Sequence, residues 1–134
     1  MKEIQQKKPF FYEWNSENYW KAIQMRRLVL RYPIGKNYTQ EDFNQEKDEI
    51  FIGVFDKKWG CLGTISLKKI DNKTVKMRQF AVHPLFQNKG IGSNIVLLAE
   101  HWASENAFQT IELHARKTAI NLENWGARKS SNPS

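Results

Sequence analysis

A chain of 134 residues and 15.8 kDa has room for one domain of ordinary size, and its 40% hydrophobic and 13% aromatic content excludes a disordered tail or a fibrous repeat. No apolar run approaches the roughly 20 residues of a membrane span, and the opening residues Met1 to Gln6 carry no apolar signal core. Twenty-one basic residues against 14 acidic ones give a net charge of +7, which favours anionic partners; the lone Cys61 excludes an internal disulfide and, beside three scattered histidines, a zinc centre. A reducing, cytoplasmic setting is therefore expected, with no metal and no membrane. The basic residues are dispersed rather than gathered in one arm, which argues against nucleic acid as the partner.

In chain order, Lys8 to Tyr12 reads as an edge strand, with Pro9 near its start. Asn15 or Ser16 caps a helix running to about Leu30, with Tyr19, Ala22, Ile23, Met25 and Val29 on its apolar side. Pro33 and Gly35 break it, and Thr39-Gln40-Glu41-Asp42 has the form of a capping start for a short second helix. Ile50 to Phe55, Cys61 to Lys69 and Thr74 to Val82 follow as three strands with short turns, an antiparallel meander. In the third, Val75, Met77, Gln79 and Ala81 share one face and Phe80 and Val82 lie on the other, so the apolar face switches and a bulge is expected near Arg78.

A polar loop, His83 to Lys89, leads to a helix over about 90–106, with a stripe of Ile91, Ile95, Leu98 and Trp102. Thr110 to Ala115 is a strand, parallel to the third meander strand because a helix joins them. The spacing predicts a helix over Arg116 to Trp125 and a polar tail from there to Ser134. The expected fold class is α/β (α+β): one domain over residues 1–134 with a mixed central sheet, a meander followed by a β-α-β parallel crossover, and helices on both faces.

The chemistry-bearing segment is Gln87-Asn88-Lys89-Gly90-Ile91-Gly92-Ser93, between a strand and the long helix. A helix start exposes unpaired N–H groups, glycines let a ligand approach the backbone, and Lys89 adds a charge. Together they suit a pyrophosphate; a glycine-rich helix start without a ligand is the alternative. The run from Met77 to Gly92 resembles the acetyl-CoA motif of the GNAT N-acetyltransferase family, Gln/Arg-x-x-Gly-x-Gly/Ala after a strand ending in Val-x-Pro, and the element order resembles that fold over residues 10–121. The resemblance implies that Phe80, Ala81 and Val82 pair with the pantetheine arm and that Gln87, Asn88, Lys89, Gly90, Ile91, Gly92 and Ser93 hold the phosphates. It also places Asn121 among the cofactor contacts.

The implied reaction is direct transfer of an acetyl group from acetyl-CoA, as co-substrate, to an amine of a small molecule or peptide. Such an amine must lose a proton, and His114, late in its strand, is the first candidate base, with Glu112 on the same face as the alternative. A purely structural His114 is equally open, and His83 and Cys61 read as structural. Arg26, Arg27 and Arg31 lie where the family builds its acceptor pocket and can hold a substrate carboxylate, or serve only as solvated helix charges.

The family continues after Ala-Ile-Asn with an aromatic pair and two further strands. Here Leu122-Glu123-Asn124-Trp125-Gly126 follows, and no tyrosine lies beyond Tyr38. Codons for Glu-Asn-Trp-Gly can contain Lys-Leu-Gly in a neighbouring frame, so a frameshift is one expectation, and an uncovered sheet edge that favours a homodimer is another. A CoA-binding remnant without turnover and a basic binding module are the rival readings.

Overall fold

The computed structural model describes residues 7–113 and 118–122, the strand 118–121 by its backbone. Ser16 caps the first helix, α1 (Glu17–Arg26), its hydroxyl accepting from the Tyr19 N–H at 3.1 Å. The chain does not stay α-helical to Leu30. It widens into a π-turn over Arg27–Arg31 and tightens into a 3-10 turn over Tyr32–Ile34, closed by Gly35 in the left-handed region at φ 71°. Thr39 and Asp42 form a reciprocal capping box for α2 (Gln40–Gln45), the Asp42 carboxylate accepting from the Thr39 N–H at 2.8 Å.

The strands β1 (Phe10–Tyr12), β2 (Ile50–Asp56), β3 (Gly60–Lys69), β4 (Thr74–Val82), β5 (Thr110–Leu113) and β6 (Thr118–Asn121) form one six-stranded sheet in chain order. All neighbours are antiparallel except β4 and β5, which the crossover helix α3 (Ile91–Glu105) makes parallel. The helix expected over Arg116 to Trp125 is corrected: Thr118–Asn121 is a strand paired with β5, from Leu113 opposite Thr118 to Thr110 opposite Asn121. Thr118 and Ile120 are β-branched, and a segment this short gains more from a ladder than from one helical turn.

The sheet separates two apolar layers. On one face α3 packs Ile91, Ile95, Ala99 and Ala103 over Ile52, Ile65, Leu67, Val75, Met77 and Ile111. On the other, α1 and α2 pack Tyr19, Ala22, Ile23, Met25 and Phe43 with Tyr12, Phe51, Cys61 and Ala81. Leu98 and Trp102, expected on the α3 stripe, flank that layer half-buried. The helix ends in a Schellman motif: Phe108 N–H reaches Ala103 O at 3.0 Å, Ala107 N–H reaches Ser104 O at 3.2 Å, and Phe108 stacks on Trp102. Ala107 takes the left-handed position, at φ 65°, that glycine ordinarily fills.

Candidate functional site

The bulge expected near Arg78 is present. Ser66 pairs with Arg78 and Thr64 with Ala81, so Gln79 and Phe80 together oppose the single Ile65. Gln79 absorbs the extra residue in the left-handed region at φ 53°. The parity of β4 changes there: Val75 and Met77 belong to the α3 layer, whereas Ala81 belongs to the α1 layer and Val82 packs toward α3. The β4–β5 ladder runs from Thr74–Thr110 to Met77–Leu113. Beyond it, Phe80, Ala81 and Val82 have no partner on that side among the described residues, although β3 still pairs with Ala81 and Val82 on the other.

This free edge borders a groove of about 950 Å³. Phe80, Ala81, Val82, Gln87, Asn88, Gly90, Ile91, Gly92 and Ser93, all proposed from the sequence, line it. Lys89 lies on the loop but not on the groove wall, and the Asn121 side chain lies outside the described residues. Gly90 is the N-cap of α3 at φ 83°, so no capping side chain covers the first-turn amides. Gly92 lies under the Phe80 ring: a Cβ there would come within 2.9 Å of Cζ of Phe80, so that half-exposed ring would have to swing aside. Asn88, at φ 62°, adds a left-handed turn residue that asparagine tolerates.

His83 accepts the Leu85 N–H on Nδ1 at 3.1 Å and caps the 3-10 turn Pro84–Phe86, the structural role expected of it. Its ring and that of Phe86 pack against Trp59 from the β2–β3 turn. Cys61 is a core residue, and burial pushes its thiol up to about 12. Glu112 is half-buried on β5, opposite Lys76 of β4 and one residue before the last parallel pair. His114 lies outside the described residues.

Among the three arginines, Arg26 is corrected. It is 1% exposed, and its two terminal nitrogens bind the two carboxylate oxygens of Glu46, itself 2% exposed. Glu46 and Tyr38 together hold its guanidinium firmly protonated against the opposing effect of burial. Tyr19 O–H also donates to Glu46, at 2.9 Å. Arg26 thus builds the core instead of reaching a ligand. Arg27 donates to Asn37 Oδ1 at 3.1 Å, and the Arg31 guanidinium lies 4.5 Å from the Tyr38 ring centre.

Several groove and site residues were not marked by the sequence. Val29 of the π-turn and Val96, Leu97 and Glu100 of α3 complete the groove walls. The α3 residues follow Ser93 at helical spacing, on the side away from the buried stripe, and that spacing was the available signal. Glu49 is buried against Arg78, and burial raises its carboxyl above the usual range despite that cation.

No curated protein matches the chain at a significant level. Solved structures share its fold. An acetyltransferase of the GNAT family from Staphylococcus aureus Mu50 matches with a TM-score of 0.64 at 18% identity, covering 78% of this chain and 71% of that one. An acetyltransferase from Streptococcus agalactiae 2603 matches with a TM-score of 0.62 at 15% identity, over 92% and 82% of the two chains. A GNAT family acetyltransferase from Elizabethkingia anophelis, solved with acetyl-CoA bound, matches with a TM-score of 0.59 at 16% identity, over 78% and 62%. The family model described as Acetyltransferase (GNAT) family matches residues 5–124, so the chain belongs to the GNAT acetyltransferase family.

Proposed function

We propose that the chain transfers an acetyl group from acetyl-CoA to an amino group of a small molecule or peptide, in the cytoplasm. One observation carries this reading: the edge of β4 at Phe80–Val82, unpaired among the described residues, runs within a single groove into the uncapped glycine start of α3. An amide-bearing arm can continue the ladder along that edge, and phosphates suit the first-turn amides of Ile91, Gly92 and Ser93. Gly90, beside whose backbone nothing lies within 4 Å of a Cβ position, leaves the helix start open to the same ligand. The net charge of +7 adds long-range attraction for a polyanion.

The chemistry asks little of the protein beyond placement and one proton. A neutral amine attacks the thioester carbonyl, the carbon–sulfur bond breaks, and the thiolate takes a proton. Glu112 and His114 remain the proposed bases: Glu112 lies on β5 one pair before the end of the parallel ladder, and His114 follows that strand in the sequence. Arg27 and Arg31 are the proposed acceptor-facing cations.

Calorimetry with CoA, followed by a thiol-release assay over a panel of amines, tests the reading. Saturable CoA binding that weakens when Gly92 is changed to Val, together with acceptor-dependent thiol release, is the expected result. A flat titration would overturn it; binding without release by any amine would leave a CoA-binding remnant in place of the enzyme.

A further inference from the structure

Resting on that reading, the geometry points to Gln79 as the residue that orients the acyl acceptor, and to an acceptor bearing a carboxylate close to its amine. Three observations converge on one tyrosine. Arg26 Nε–H donates to Tyr38 Oη at 3.1 Å. Because an arginine can only donate, that bond occupies Oη as an acceptor, and the phenol's single proton is directed to Gln79 Oε1 at 2.9 Å. The carboxamide is thereby fixed with its oxygen toward Tyr38 and its NH₂ turned away, and the NH₂ has no protein partner among the described residues.

The second observation is the placement of that NH₂. Gln79 is the extra residue of the β4 bulge, two positions past the last β4–β5 pair, and half-buried rather than sealed. It holds a left-handed conformation that a glycine would adopt at lower cost, so the side chain is retained against backbone strain. The third is charge. The Arg31 guanidinium lies on the ring of the same Tyr38, with no carboxylate within ion-pair distance of it among the described residues. Tyr38 therefore holds by its hydroxyl an amide donor with no partner among the described residues, and by its ring a cation that acts on the Asp42 carboxylate only from beyond ion-pair distance. Together they suit a carboxylate, which accepts from both.

The anchor is rigid because it is rooted in the core. Arg26 is tied to Glu46, and Glu46 to Tyr19, so the relay from α1 to the bulge consists of buried, mutually satisfied groups. Gln79 and Arg31 are the residues that contact the acceptor; Tyr38 is a positioning residue, and Arg26 acts through it.

The test compares amino acids with the amines left by removing their carboxylate. The ratio of kcat/KM values should favour the carboxylated acceptor by about tenfold or more, the range of a hydrogen bond to a charged group. In Gln79→Ala the preference should collapse through KM with kcat retained, and in Gln79→Glu it should invert. Tyr38→Phe keeps the ring against Arg31 and should reduce the preference by freeing the carboxamide, while also leaving Arg26 Nε–H without its acceptor and so lowering stability. A second arm needs no turnover: the side-chain NH₂ resonances of Gln79, assigned by their loss in Gln79→Ala, should shift with N-acetyl amino acids and not with their methyl esters. Equal shifts with both, no shift with either, or an unchanged ratio in Gln79→Ala would overturn the proposal. Failure to bind CoA would instead remove the acetyl-transfer reading, while the resonance arm still decides the carboxylate contact.

Discussion

Arg26 and Glu46 offer the sharpest energetic test. Changing Arg26 to Met keeps most of the buried length of the side chain and deletes the charge. It leaves the Glu46 carboxylate, 2% exposed, with only the Tyr19 hydroxyl as a partner. Stranding one member of a buried, doubly bonded pair costs about 3–5 kcal/mol. The lost bond to Tyr38 adds about 1 kcal/mol. With a urea m-value of about 2 kcal/mol per M for a domain of this size, the unfolding midpoint should fall by roughly 2–3 M. Glu46→Leu alone should cost a similar amount, because it strands the guanidinium. The double variant, Arg26→Met with Glu46→Leu, buries no unpaired charge and should lie within about 2 kcal/mol of the parent protein. Chemical denaturation of all four proteins, fitted with a common m-value, gives the coupling energy. Additive single effects, or a cost below about 1 kcal/mol for Arg26→Met, would refute the argument that these two buried charges chiefly neutralise each other.

Three further outcomes follow from the described geometry. Replacing Ala107 by Gly should stabilise the protein by about 1 kcal/mol, because glycine relieves the left-handed strain at the end of α3; an unchanged thermal midpoint would count against this. The Glu49 carboxyl is raised by burial, so the native state binds its proton more tightly than the unfolded chain does. Its contribution is therefore fully present below the unfolded value and lost as pH rises through the native one. Glu49→Gln should gain stability relative to the parent as pH rises above the ordinary glutamate value of about 4.3 in urea titrations, and a pH-independent difference would contradict the assignment. Cys61, buried with its thiol at about 12, should react with a disulfide reagent only as fast as the protein unfolds. Stoichiometric labelling of the native protein at mixing speed would show otherwise.

The meander, the crossover helix and both helix caps were legible because each rests on local chemistry: alternation in β2–β4, a helical stripe in α3, Ser16 and Thr39 at the caps. The bulge could be read too, since apolar residues change parity across Gln79. Strand β6 could not. Its four residues carry no period of their own, and the pairing that makes them a strand comes from β5. The fate of Arg26 was half visible: with Tyr19, Ala22 and Ile23 it occupies the buried face of α1. Its partner Glu46 lies 20 residues away, beyond the reach of any local spacing argument. The glycines of the groove were found because their chemistry is in their identity, whereas Gln79 matters through a conformation that composition does not announce.

The surplus residue of β4 makes that strand two tools joined end to end. Its first half is scaffold, zipped to neighbours on both sides; its second half is a bench with one side open among the described residues. Excising Gln79 would restore uniform pleating, with Phe80 alone opposite Ile65 and Ala81 and Val82 still on their present faces, yet it would remove the side chain that meets Tyr38 and straighten the bend by which the strand leaves its scaffold half. Length in this stretch should thus be less negotiable than identity: descendants of the chain can exchange residues here far more freely than they can gain or lose one.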